Sequence, residues 1–299
     1  MLRVLMQAQP SKVATVRVKE NIPEAVERIF RLTGAPHLEK GNAVTIKLNM
    51  CFFRPYETGA TTDPRVLEAL IRYLRTLADD LNICLIESDA TSARADLLFK
   101  WLGFNDLANR LGVKTVNLSN DKRIKVPLPE SCHLKALWMP KTLLDADYSI
   151  SLAKLKTHGL TKITCALKNQ FGSIPYRGKI KWHPVLDQVI ADSNVACRPS
   201  FSMVDGIIAM EGVDGPDMGK PRATNLLVGG EDPVAVDSVC ATIMGFNPNS
   251  IGHIREAEKR GVGSQKYEIV GEQLSHIREN FDYNAFYHTV ETVIRKIRK

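Results

Sequence analysis

Cysteine is sparse in this sequence of 299 residues, and no two cysteines lie near each other. Because they stand about thirty positions apart or more, none forms the Cys-x-x-Cys pairs that iron–sulfur clusters and zinc ribbons use. We therefore expect reduced, mostly buried thiols, no iron–sulfur cysteine motif and a cytoplasmic protein. The six positions are Cys51, Cys84, Cys132, Cys165, Cys197 and Cys240.

Long apolar runs are also missing. No run is long enough to cross a bilayer, and the apolar stretch within Met1–Pro10 is too short for a signal peptide, so we expect no membrane partner. The charge excess is modest, with 40 basic and 33 acidic residues and a formal net charge of +7. That balance favours an anionic partner, but no nucleic-acid recognition motif accompanies it, so no specific nucleic acid is expected.

The familiar catalytic signatures are absent as well. The chain contains no Gly-x-Ser-x-Gly nucleophile motif and no His-x-x-x-His zinc spacing. Its glycines do not have the strand–loop–helix spacing of a Walker loop or of a dinucleotide fingerprint. The sequence therefore supports a ligand site more strongly than it supports a particular reaction.

What the sequence does contain is an alternation of strand and helix patterns. Strands are predicted at Ala43–Asn49, Asn82–Glu87, Tyr148–Ala153 and Phe201–Val204, with amphipathic helical segments between them. This alternation predicts an α/β fold with a mainly parallel twisted sheet and helices on both faces. A small β excursion is expected near residues 122–139, and the whole chain, 1–299, is interpreted as a single domain.

The end of the chain reads as an amphipathic helix over residues 284–299, with an apolar stripe and a basic tail. Contact with a membrane or nucleic acid is one interpretation of such a helix. We favour docking on the domain itself, because an apolar stripe most often packs against the parent fold.

The stretch Lys154–Gly172 organises the chain. It is predicted to leave the strand at 148–153 as a polar loop that pivots on Gly159 and then enters a helix at Thr161–Asn169. Lysines near a helix start favour a bound anion, although solvated surface charge is the alternative. The residues of this stretch that we expect to bind substrate are Lys154, Lys156, Thr157, Lys168 and Asn169.

Polar residues also stand at the predicted carboxyl ends of several strands. They are Lys47 and Asn49, Glu87, the segment Lys154–His158, and Asp205. In a parallel sheet these ends share one edge, so we expect the side chains to line one cleft. Lys47 and Asn49 are accordingly assigned to substrate binding.

His158 could act as a general acid or base, or as a donor that orients the ligand, because the pKa of histidine lies near neutrality. A hydrogen-bonded structural histidine is the alternative. His183, within Trp182-His183-Pro184, is a second candidate for substrate binding.

Asp205 follows the predicted strand Phe201–Val204, and Glu211, six positions further across Gly206, lies in a glycine-rich segment that is predicted to be a loop. There they could act as bases or, with Asp237, bind a divalent cation, while loop capping is the alternative. Asp237 lies in an otherwise apolar helix and needs a partner if it is buried; we assign it to substrate binding.

Eight short stretches between roughly residues 43 and 263 form a distinctive combination. They are Lys47–Asn49, Gly59–Pro64, Lys154–His158, Leu167–Asn169, Phe171–Gly172, Val204–Ile207, Ala209–Gly212 and Gly230–Asp237. Together they resemble an uncharacterised family, the domain of unknown function 362. The resemblance implies no established reaction. Some members carry an added ferredoxin-like module with clustered cysteines, which this chain lacks.

We therefore expect an enzyme that acts on a phosphate- or carboxylate-bearing small molecule. His158 with Asp205 or Glu211 would transfer protons, and a divalent metal could take part. The alternative is a non-catalytic binding protein or a redox accessory protein, suggested by the iron–sulfur modules of the resembling family. In that case the partner would be a redox protein or a second copy of the chain.

Overall fold

The computed structural model describes residues 10–212 and 216–283. The expected helix at 284–299 lies outside these residues. The strands are β1 Ser11–Arg17, β2 Ala43–Lys47, β3 Asn82–Glu87, β4 Lys114–Asn117, β5 Arg123–Pro127, β6 Ala136–Pro140, β7 Tyr148–His158, β8 Lys162–Ile163, β9 Phe201–Glu211, β10 Lys220–Gly230 and β11 Tyr267–Gly271. The α-helices are α1 Ile22–Thr33, α2 Pro64–Leu77, α3 Ala95–Trp101, α4 Phe104–Leu111, α5 Lys141–Leu144, α6 Cys165–Phe171, α7 Leu186–Ala196, α8 Pro233–Ile243, α9 Gly252–Lys259 and α10 Leu274–Ile277. Short 3-10 helices lie at Tyr56–Thr58, Leu118–Asn120, Lys179–Val185 and Pro248–Ser250.

One large sheet forms the centre of the fold. Its strands lie in the order β11-β1-β10-β9-β7-β2-β3-β4, and β8 pairs with the far end of β7. The run β9-β7-β2-β3-β4 is parallel throughout, whereas β10 is antiparallel to both of its neighbours. The prediction of a mainly parallel sheet is confirmed. The β excursion is confirmed too, as the antiparallel hairpin of β5 and β6.

Helices cover both faces of this sheet. Successive strand residues pack into different apolar clusters: Leu152 contributes to the one that contains α1 to α4, and Ala153 to the one that contains α6 to α9. Such alternation is what a strand buried on both faces requires, because successive side chains point to opposite sides. The sheet is therefore the middle layer of three.

The caps of two helices follow directly from the sequence. Asp63 precedes Pro64 at the start of α2, and its side chain accepts the backbone N–H of Arg65. Asp232 does the same for α8, where it accepts the N–H groups of Val234 and Ala235. An acceptor side chain followed by proline at the first helical position favours a helix start at both places.

Two predicted loops prove to be strand. Residues 154–158, expected to be a loop, continue β7 to His158, and the expected helix start at Thr161 is replaced by β8, with α6 beginning at Cys165. Glu211 was expected in a loop but ends β9. The cause is long-range pairing: β7 pairs with β9 through Lys154 and Asp205, and β9 pairs with β10.

Within the described residues, no helix is long and apolar enough to cross a membrane.

Candidate functional site

A cavity of about 590 Å³ opens at the carboxyl edge of the parallel strands. It is lined by the ends of β2, β3 and β7, by α6, by the loops that follow β2 and β3, and by the 3-10 helix at Lys179–Val185. This volume suits a metabolite-sized ligand. The carboxyl edge of a parallel sheet is where α/β folds place such sites.

The structure brings most of the candidate residues together at this cavity. Those that line it are Lys47, Asn49, Lys156, His158, Lys168, Asn169 and His183. Glu87 joins them, because β3 lies next to β2 in the sheet. Lys154, Thr157, Asp205, Glu211 and Asp237 are not among the lining residues.

At the base of the cavity, Lys47 and Glu87 form a buried ion pair with 2.7 Å between Nζ and Oε1. Lys47 also donates to the carbonyl of Leu48, and Glu87 accepts the backbone N–H groups of Met50 and Ser88. Gly172 packs against this pair, since a Cβ there would lie 2.8 Å from Lys47 Nζ. Glu87, the one carboxylate that lines the cavity within the described residues, is thus already neutralised by one lysine.

Three further lysines line the same cavity. Lys156 is fully buried and donates to the carbonyls of Ala60, at 2.6 Å, and Pro216, at 3.0 Å. Burial lowers its pKa. Lys179 is also buried and donates to Ser88 Oγ and to the carbonyls of Asp89 and Ile174, so each of its three N–H bonds has an acceptor.

Burial lowers the pKa of Lys179 to about 7. Both Lys156 and Lys179 therefore fix loops around the cavity, and Lys179 is only partly charged near pH 7.

Lys168 differs from the other three. Its Nζ lies 4.7 Å from the centroid of the Phe171 ring, one turn ahead in α6, and makes no hydrogen bond or ion pair within the described part of the chain. Burial lowers the pKa of Lys168 to about 8, and the neighbouring Lys156 and Lys47 act in the same direction. This amine is the one in the cavity that a ligand can engage without breaking an existing contact.

His158 is held as a neutral donor. Its Nδ1 accepts the backbone N–H of Leu160 at 3.1 Å, so the neutral ring carries its proton on Nε2. Burial, and then the charges of Lys168 and Lys156, hold its pKa well below the ordinary 6.5. The histidine therefore meets a ligand as an N–H donor near neutral pH and not as an imidazolium.

Two buried polar atoms at the cavity have no hydrogen-bond partner within the described residues: Asn49 Oδ1 and Thr164 Oγ1. The remaining amide groups there are satisfied, since Asn49 Nδ2 donates to Asn169 Oδ1 and Asn169 donates to the Lys47 carbonyl and to Ser151 Oγ. A buried polar atom without a partner is disfavoured, so these two atoms mark positions where a ligand would add hydrogen bonds.

Lys154 and Asp205 form a second buried ion pair, inside the sheet. Both side chains are fully buried, with 2.7 Å between Nζ and Oδ2. Asp205 also accepts the N–H groups of Asp63 and Ile207, so it ties β9 to the start of α2. Lys154 was predicted to bind substrate and Asp205 to take part in catalysis. In the structure they pair with each other and do not line the cavity.

The expected carboxylate cluster does not form. Glu211 is paired with Arg222, and Asp237 accepts the N–H groups of Ala166 and Leu167 at the start of α6. Asp205, Glu211 and Asp237 thus each have different partners. Within the described residues, no group of three His, Cys, Asp or Glu side chains could hold a metal ion. The proposed common cation site of these three residues is therefore wrong. Thr157 donates to the Gly212 carbonyl.

The cysteines are free thiols, in agreement with the absence of paired motifs. Cys51 is the one that lines the cavity. Burial raises its pKa despite the nearby lysines, so it remains protonated near neutral pH. A thiol in that state is a weak nucleophile.

The family model described as "Domain of unknown function (DUF362)" matches residues 44–242, more than half of the chain. The chain belongs to this family. The matched span of DUF362 includes every lysine that lines the cavity. It also includes the stretches at Lys47–Asn49 and Leu167–Asn169 that carry the resemblance in the sequence.

One curated relative is a thylakoid-associated protein of Synechocystis sp., 34% identical over 150 residues. The match covers 48% of this chain and 46% of the relative, so the chain spans about half of that protein's length. Among solved structures, the lactate racemase apoprotein from Thermoanaerobacterium thermosaccharolyticum gives a TM-score of 0.44 at 14% identity, covering 78% of this chain and 57% of that one.

Sequence reasoning missed Lys179, Ser88 and Thr164. Lys179 lies in the 3-10 segment Lys179–Val185, where no periodicity in the sequence marks which side chains are buried. Ser88 directly follows Glu87 at the end of β3, so the rule that led to Glu87 could have found it. Thr164 precedes α6 and carried no signal apart from its place in the central stretch.

Proposed function

We propose that this DUF362 protein is an enzyme that acts on a small molecule bearing a phosphate or carboxylate group. The observation that carries the proposal is the charge of the cavity. Among the described residues, four lysines and one carboxylate line it, and that carboxylate, Glu87, is already paired with Lys47. Among the described residues, Lys156, Lys168 and Lys179 form no ion pair with a carboxylate, and burial lowers the pKa of each. An anion in the cavity would offset that charge.

The proposed catalytic group is His158, through its Nε2–H, while Asp205 and Glu211 have no part in the proposal. A neutral imidazole can donate a hydrogen bond to an oxygen on which negative charge develops. Asn49 Oδ1 and Thr164 Oγ1 would orient the ligand, because both are buried and lack a partner among the described residues. A ligand with a hydroxyl or N–H group next to its anionic group would satisfy Asn49.

The proposal places the enzyme in the cytoplasm, with an anionic small molecule as its partner. The free thiols support a reducing compartment. The thylakoid-associated relative suggests the rival location, at a membrane surface. Fractionation of cells into soluble and membrane parts at low and high salt separates the two, because peripheral attachment through charge is lost at high salt.

Anion binding is the first test. Calorimetric titration with inorganic phosphate and with citrate, each with and without magnesium, should detect binding to the wild-type chain. Lys168→Gln should weaken it by about 1.5 kcal/mol or more, roughly tenfold, which is the range of one charge-assisted hydrogen bond. Lys156→Ala should weaken it at least as much.

The matched control is Lys135→Ala, which removes an exposed lysine that does not line the cavity. Its affinity should equal that of the wild type. If neither anion binds, or if all three variants lose affinity equally, the cavity is not an anion site and the proposal fails.

A further inference from the structure

The four lysines of the cavity are not equivalent in what they can do chemically. Lys47, Lys156 and Lys179 each donate to at least two acceptors of the protein. A lysine whose ammonium group is fixed in this way must lose a proton and give up hydrogen bonds before its nitrogen lone pair can react. Within the described part of the chain, Lys168 makes no hydrogen bond or ion pair and contacts the Phe171 ring, so its nitrogen is the most available of the four for bond formation.

We propose that Lys168 is a nucleophile that forms an imine with a carbonyl compound, and that this compound carries an anionic group held by the neighbouring lysines. The inference rests on the proposed function, because the same cavity binds the anion. What this inference adds to the proposed function is the carbonyl group of the substrate. The substrate would be an aldehyde or ketone that carries a carboxylate or phosphate, such as a 2-oxo acid or a phosphorylated aldehyde.

The surroundings suit this chemistry. A lysine reacts only as the neutral amine, which apolar contact and neighbouring cations favour. At Lys168, burial and the neighbouring Lys156 and Lys47 act in this direction, whereas the contact with the Phe171 ring favours the charged form. With a pKa of about 8, roughly a tenth of the amine is neutral at pH 7, against less than about a thousandth for an ordinary lysine.

The step balances without an added reagent. The amine lone pair forms a bond to the carbonyl carbon, and the electrons of the C=O double bond move to its oxygen. The resulting hydroxyl leaves as water, which takes up the two amine protons overall, and a C=N bond remains. His158 Nε2–H is the nearby donor for the carbonyl oxygen, since its other ring nitrogen is occupied by the Leu160 N–H.

Pyridoxal 5′-phosphate is a suitable probe, because it combines an aldehyde with a phosphate. The wild-type chain is incubated with a limiting amount of it, reduced with sodium borohydride and digested, and the labelled lysines are identified by mass spectrometry. We expect Lys168 to be the principal site. Pyridoxal, which lacks the phosphate, should need about a tenfold higher concentration for equal labelling, as expected for one lost charge-assisted contact.

Inorganic phosphate should protect Lys168 but leave the labelling of exposed Lys135 unchanged. The rate at Lys168 should reach half of its maximum near pH 8, well below the pH that an exposed lysine requires. Lys168→Arg should remove this label while leaving the other sites as they are.

Labelling of Lys156 or Lys179 in place of Lys168, or labelling spread over exposed lysines alone, would overturn the proposal. Because mapping uses the wild-type chain, the result stands even if Lys168→Arg fails to fold. Calorimetry with phosphate separates the two levels of inference. Phosphate binding without imine formation leaves the anion site and removes the nucleophile, whereas failure of both removes the proposed function as well.

Discussion

Asn in place of Asp205 tests whether this carboxylate is structural or catalytic. In the structure it is fully buried, pairs with Lys154 at 2.7 Å and accepts two backbone N–H groups, from Asp63 and Ile207. Asn keeps the size but removes the charge, and its NH₂ group must face a donor. Removing one member of a buried pair costs about 3–5 kcal/mol, because the other charge stays buried without a partner.

Lys154→Met should cost less than Asp205→Asn, since the carboxylate keeps its two N–H donors. In the double variant no charge is left unpaired. We therefore expect the double variant to lose about 1–3 kcal/mol less free energy of unfolding than the two single variants together. A coupling of this size is typical of residues in direct contact. Urea unfolding followed by circular dichroism and tryptophan fluorescence, with all four proteins in one buffer, measures these differences.

These losses are large against a total stability of about 5–15 kcal/mol, so unfolding midpoints should shift visibly. The structural assignment would be refuted if Asp205→Asn kept its stability within about 1 kcal/mol and yet lost ligand affinity or activity. It would be refuted equally if the double variant lost the full sum of the single effects, because the two side chains would then not interact.

Two further predictions concern the walls of the cavity. Gly172→Ala should destabilise the fold by about 1–3 kcal/mol, because its Cβ would lie 2.8 Å from Lys47 Nζ. Gly178→Ala is the control, since nothing lies within 4 Å of its Cβ, and it should be nearly neutral in the same urea assay. Equal effects of the two substitutions would contradict the packing argument. His158→Gln should flatten the loss of stability below about pH 6.5, by up to about 1.4 kcal/mol per pH unit. Folding lowers the pKa of this histidine, so below about pH 6.5 the unfolded chain binds a proton that the folded chain does not. The wild type therefore loses stability as the pH falls. An unchanged pH profile in the variant would show that the ring is not buried and neutral. The same variant should lower turnover roughly 100-fold once an assay exists, while Lys135→Ala serves as its control.

Much of the fold could be predicted because its signals are local. The strand predicted at Asn82–Glu87 has the same bounds in the structure, and the start of α8 is marked in the sequence by its cap Asp232 and by Pro233. Alternation of strands with helices gave the parallel sheet, and the two prolines and short alternation near residues 122–139 gave the β hairpin.

Residues 154–158 could not be predicted in the same way. Their polar composition is typical of a loop, and only pairing with β9, some fifty positions further along the chain, makes them strand. The same pairing aligns Lys154 with Asp205 and buries both, so two residues that resemble site residues in the sequence become part of the sheet. Pairing partners and register are tertiary facts that periodicity does not contain.

The site residues show a similar division. Lys47 and Glu87 were found because the carboxyl end of a parallel strand is an informative position, and β2 and β3 proved to be neighbours. Lys179 was missed because two of its three acceptors, Ser88 and the carbonyl of Asp89, belong to a distant segment of the chain. No pattern in the sequence around Lys179 indicates those partners.

The lysines of the cavity couple ligand binding to loop order. Lys156 holds Ala60 of the loop after β2 and Pro216 of the segment between β9 and β10, and Lys179 holds Asp89 after β3. These carbonyls stabilise the buried ammonium groups only in part, because a carbonyl carries a partial charge and an anion a full one. A bound anion would therefore strengthen the cationic state on which the loops depend. It follows that changes at Lys156 alter affinity by two routes, lost charge and a loosened wall. Lys168, which holds no loop, reports on charge alone, so the difference between the two variants measures how much the walls of the cavity contribute to binding.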